Sequence, residues 1–92
     1  MSNFQPTKTV FIIAAVNGLK RNPDVQDVDA QTNATHHSIT VHHGVDAGDA
    51  VFNMMNLQFG SRIVETSGPD DIGDVYESNF LIKRRAVEAE MT

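Results

Sequence analysis

Apolar and polar residues alternate along this chain in three rhythms. The first is a nearly continuous apolar run over residues 8–16, with Thr9, Val10, Ile12, Ile13 and Val16 among its members. Branching at Cβ stiffens such residues toward extended backbone, so an unbroken run of this length predicts a central strand buried on both faces. The competing reading is a buried helix entered near Pro6, because Phe11, Ala15 and Leu19 share one helical face and proline suits a first turn. Asn17-Gly18 ends either element, since that pair readily adopts positive φ.

The second rhythm is strict alternation. Between Thr35 and His43, His37, Ile39, Val41 and His43 face one side, and His36, Ser38, Thr40 and His42 face the other, the pattern of a half-buried strand. The third is helical. From Asp46 to Phe59, with Asp46 or Asp49 as N-cap and Gly60 as terminator, the spacing predicts a helix over residues 47–59. Its apolar residues Ala50, Val51, Phe52, Met54, Met55, Leu57 and Phe59 cover roughly 220° of arc, more than one sheet would bury. Two explanations carry similar weight: a helix wedged between a sheet and a loop of its own chain, or a dimer contact through Val51, Phe52, Met54, Met55 and Phe59.

The remaining segments are less regular. Asn22-Pro23 and the acids Asp24, Asp27 and Asp29 around Val25 and Val28 read as a short edge strand or an irregular loop. Residues 61–66 and 79–84 are strand candidates, residues 67–78 a loop with Gly68, Pro69 and Gly73, and residues 83–91 a helical or frayed tail. Together these elements predict an α+β domain over residues 1–92, with an antiparallel or mixed sheet of about four strands covered by one main helix.

Composition narrows the chemistry. The 92 residues contain no Cys, which removes disulfide scaffolds, thiol nucleophiles and thiolate metal sites. No apolar run approaches the roughly 20 residues of a membrane-spanning helix, and the run ending at Val16 makes a poor leader peptide, so the expected location is the cytoplasm. A chain this short buries roughly 60–65% of its unfolded surface, which raises the expectation of a partner subunit.

Charge is segregated. Residues 1–21 carry Lys8, Lys20 and Arg21 with no acid, residues 22–82 carry ten acids against Arg62 alone, and residues 83–92 carry Lys83, Arg84 and Arg85 against two glutamates. If the two ends meet, Lys20, Arg21, Lys83, Arg84 and Arg85 form one basic patch. The net charge of -5 and the lack of interleaved aromatics argue against nucleic acid, and opposite charges on one chain favour contact between copies.

The four histidines suggest a metal but do not fit one strand: same-face His36 and His42 stand about 20 Å apart at 3.3 Å per residue. A zinc site would need two copies pairing through this strand about a two-fold at Ile39, which sets His36 opposite His42 of the partner subunit. Protonating all four histidines would bring the formal charge from -5 toward -1, so a response to pH is also expected.

Other motifs fail on spacing. The acidic loop with Asp70, Asp71, Asp74 and Glu77 misses the EF-hand frame and reads as a solvated turn. Ser38 beside His37 lacks the nucleophile elbow, and strand neighbours point apart. The Asn33-Ala34-Thr35 triplet is a common chance match to a glycosylation acceptor. The sequence therefore predicts a homodimeric protein-binding module without a cofactor, a small regulator, inhibitor or assembly component. The alternatives are a histidine-based metal or ligand binder and a small acid/base enzyme using His37, His43 and an Asp.

Overall fold

The computed structural model describes residues 3–91. In chain order they form β1 (Gln5–Pro6), α1 (Val10–Lys20), β2 (Val25–Thr32), β3 (His36–His43), α2 (Gly48–Phe59), β4 (Ile63–Asp71) and β5 (Tyr76–Lys83). The five strands make one sheet in the order β1-β2-β3-β5-β4, every neighbouring pair antiparallel. The fold is α+β, with five strands and two helices.

The expected central strand over residues 8–16 is instead helix α1, the competing reading. Ile12, Ala15, Val16 and Leu19 are its buried residues, a helical spacing that sends one stripe inward against β2. Tertiary burial overrides the local β preference of Val and Ile. Phe11, placed by sequence on the inward face with Ala15 and Leu19, is exposed and touches Phe59 edge to face, with ring centroids 5.4 Å apart.

The central position belongs instead to β3; its predicted alternation is observed, with His37, Ile39, Val41 and His43 buried and His36, Ser38, Thr40 and His42 half-buried on the opposite face. β2 is a full strand of eight residues rather than a short edge piece, because β3 offers it an antiparallel ladder from Val25↔His43 to Thr32↔His37, interrupted only by a register shift between Val25 and Asp27. The loop expected over residues 67–78 is mostly strand, since β4 runs to Asp71 and β5 begins at Tyr76.

Helix α2 turns Val51, Met55 and Phe59 inward, where they join Ile12, Ile39, Val41, Phe80 and Ile82 in one core between the helices and a single face of the sheet. The wide apolar arc is thus divided, with Phe52 48% and Leu57 87% exposed. Neither Asp46 nor Asp49 caps the helix. A 3₁₀ turn over Val45–Ala47 leads into it and Ala47 holds the cap position without a side-chain bond. Gly60, at φ +51°, terminates it as expected.

The tail is irregular, not helical, with a bend at Ala86 and Val87 and an isolated bridge between Glu90 and Thr9. Arg84 N–H donates to the Thr35 carbonyl at 2.9 Å, Val10 N–H to Ala89 at 2.9 Å, and Met91 N–H to Lys8 at 2.7 Å. These backbone partners outweigh the helix preference of residues 83–91 and make the tail a strap across the entry to α1.

Candidate functional site

Three polar constellations and one apolar groove result. The first lies under the strap. His37, fully buried, points Nε2 at Glu88 Oε1, 3.0 Å away, and Nδ1 at the Thr32 hydroxyl, 2.8 Å away. A carboxylate only accepts, so Nε2 carries the proton and Thr32 donates to Nδ1; the Thr7 and Thr32 hydroxyls are 2.8 Å apart and extend the chain outward. Arg62 donates to Glu88 Oε2 at 3.1 Å and to the Lys83 carbonyl, and the Arg85 N–H donates to Glu88 Oε1 at 2.8 Å.

Burial holds the His37 ring below its usual pKa, against the opposing pull of Glu88. Burial alone would raise the Glu88 pKa, but the hydrogen bonds from His37, the Arg85 backbone and Arg62 bring it below the usual carboxylate value. Neutral His37 beside an Arg62–Glu88 pair leaves the cluster without net charge. Its chemistry is that of a structural anchor for the strap.

The second constellation joins β3 to β5. His43 Nδ1 lies 2.7 Å from the Gly44 carbonyl and Nε2 lies 2.8 Å from Ser78 Oγ. Ser78 forms part of the wall of a cavity of about 380 Å³ that also touches the start of α2.

The third occupies the open face of the sheet. Thr40 donates to Asn79 at 2.6 Å, Asn79 donates to Glu77 Oε1 at 3.0 Å, and His42 Nε2 donates to Glu77 Oε2 at 3.0 Å. The bonds from Asn79 and then His42 hold the Glu77 carboxyl below its usual pKa. His36 sits six residues away, across the ladder from Lys83. Both edges of β3 are occupied, by β2 and β5, so two copies pairing through this strand to set His36 against His42 is not an arrangement this fold offers. Among the described residues no three His, Asp or Glu side chains are grouped to hold a metal ion.

The groove lies between α1 and the strap, a space of about 440 Å³ lined by Val10, Phe11, Ala14, Val87, Ala89 and the Arg62, Arg85 and Glu88 side. It adjoins a recess of about 340 Å³ lined by Arg62, Lys83, Arg84, Arg85 and Ala86. The expected basic patch is therefore half assembled. Lys83, Arg84 and Arg85 converge with Arg62, whereas Lys20 and Arg21 lie at the far end of α1, about 15 Å along its axis from Val10.

The expected helix interface is corrected in the same way. Val51, Met55 and Phe59 are core residues of their own chain because α2 packs them against the sheet, and Met54 lies partly buried beside them. Of the five, Phe52 alone is exposed.

Sequence reasoning missed Ser78, Glu88 and Arg62. Ser78 had a signal: counting back from Ile82 in steps of two reaches Phe80, Ser78 and Tyr76 on one face. Glu88 and Arg62 had none, since their partners arrive from distant segments. No family model, curated protein or solved structure matches the chain, and its site is read from its own geometry.

Proposed function

We propose that the chain is a self-associating protein-binding module, in which the groove between α1 and the strap receives the β4–β5 tip of a second copy. The observation that carries the reading is a matched pair of unneutralised surfaces. Lys83 and Arg85 stand beside an apolar floor of Val10, Phe11, Ala14 and Val87, and none of the five ion pairs among the described residues includes either cation. At the hairpin tip, Asp70, Asp71 and Asp74 surround Ile72, 52% exposed, and those ion pairs include none of these acids.

The two surfaces sit at opposite ends of β5, about 23 Å apart at 3.3 Å per residue. A copy cannot fill its own groove. Two copies side by side and antiparallel satisfy both contacts at once, giving a closed two-fold dimer. Strand pairing between the outer edges of β4 is disfavoured, because Pro69 lacks a donor and Glu65, Asp70 and Asp71 crowd that edge with like charge. The contact is side chain to side chain, with apolar insertion supplying affinity and charge fixing its orientation.

Two small patches predict association in the micromolar range, weakened by salt. Sedimentation equilibrium across a concentration series tests this. A mass rising from the 10.1 kDa chain to twice that value, and staying at 10.1 kDa for Ile72→Asp, supports the reading. A chain that is monomeric throughout, or that dimerises equally well as Ile72→Asp, overturns it.

A further inference from the structure

We infer that Ser78 is a nucleophilic hydroxyl activated by His43, able to accept an acyl group from a small ester that carries a cationic group. The tautomer follows from the partners. Gly44 offers a carbonyl 2.7 Å from His43 Nδ1, and a carbonyl only accepts, so Nδ1 carries the ring proton. Nε2 is then a bare lone pair, and the Ser78 hydroxyl 2.8 Å away must donate to it. Carbonyl, imidazole and hydroxyl stand in the order that holds a base against a nucleophile. Both side chains are shielded from water, with His43 fully buried and Ser78 4% exposed.

The backbone opposite Ser78 is built differently from the rest of the sheet. β4 pairs Ser67 with Asn79 and Asp70 with Glu77, which sets two residues, Gly68 and Pro69, opposite the single Ser78. This bulge bows β4 outward, a device that recurs beside active sites. Gly68, at φ +92°, passes so close that a Cβ there would collide with the Glu77 carbonyl oxygen. The cavity of about 380 Å³ opens at this point, bounded by Ser78, Gly68, Phe52 and Phe80, with Asp46 and Asp49 on the side of α2. No described cation pairs with Asp46 or Asp49, so the cavity favours a positive group over a negative one.

In the step, a lone pair on Ser78 Oγ bonds to the acyl carbon as His43 Nε2 takes the hydroxyl proton. The ester C–O bond then breaks, and the departing alkoxide takes that proton and leaves as an alcohol. Water can repeat the sequence on the acyl-serine and release the acid. A neutral carbonyl stabilises the transient imidazolium less than a carboxylate would, so slow single acylation is expected rather than fast turnover.

The test uses the full chain with a neutral fluorophosphonate and with a matched pair of nitrophenyl esters, one bearing an ammonium group and one a carboxylate. Intact mass and peptide mapping read the adduct. One adduct per chain on Ser78, at least ten-fold slower in His43→Gln and faster with the ammonium ester, supports the inference. An unmodified chain, an adduct mapped elsewhere, or equal labelling of a folded Ser78→Ala chain overturns it. If Ser78→Ala does not fold, the mapped site on the unaltered chain decides.

Discussion

At the scale of single residues, the histidine under the strap has the clearest consequence. His37 is held neutral by burial, so the unfolded chain binds a proton that the folded chain refuses. The stability from neutral His37 is complete above the usual imidazole value of about 6.5 and is lost as pH falls below it toward the lowered folded value. Glu88 is charged where His37 is neutral, and acidification has the same outcome for it. Its lowered carboxyl contributes above the ordinary carboxylate pKa and is lost as pH falls through its folded value. Chemical denaturation between pH 7.5 and 2.5 should show stability falling in two steps, and His37→Gln should remove the upper one; an unchanged upper step would contradict the assignment. Thr9 supplies an independent case. Its hydroxyl is buried without a partner among the described residues, an arrangement that costs roughly 1–3 kcal/mol. Thr9→Val keeps the shape and should raise stability by about 1 kcal/mol, whereas a loss of that size would show that the hydroxyl is satisfied.

At the scale of elements, β3 and α2 were legible because their periods were clean and their lengths ordinary. Helix α1 was not, because Val10, Ile12, Ile13 and Val16 satisfy a buried strand locally and only the sheet packed beneath them selects the helical stripe. The strap was illegible for a related reason: its helix-forming composition gives way to backbone bonds from Lys8 and Val10, more than 70 residues away. Of the candidate site, the convergence of Lys83, Arg84 and Arg85 was readable. The participation of Arg62, the withdrawal of Lys20 and Arg21, and the Ser78–His43 contact all depend on strand order, which no local pattern encodes. The bulge in β4 offers a sharp test. Gly68→Ala places a methyl group against the Glu77 carbonyl at a left-handed φ, and should destabilise the chain by about 2 kcal/mol or more in a melting experiment. A change below about 0.5 kcal/mol would mean that the strands do not approach as closely as described.

At the scale of the whole molecule, one face of the sheet and both helices supply the core, the opposite face carries polar rows, and charge is sorted to the ends of β5. The cationic end borders an apolar groove and the acidic end carries an exposed isoleucine. In the proposed dimer, a second copy would satisfy both. The most direct measurement is therefore a charge exchange across the contact, read as solution mass by light scattering. Arg85→Glu and Asp71→Arg should each give a monomer alone, and an equimolar mixture of the two chains should form a heterodimer, because each groove then meets a tip of opposite charge. The doubly exchanged chain should recover the dimer of the unaltered protein. Single reversals that leave the dimer intact, or a double exchange that stays monomeric while folded, would contradict the contact.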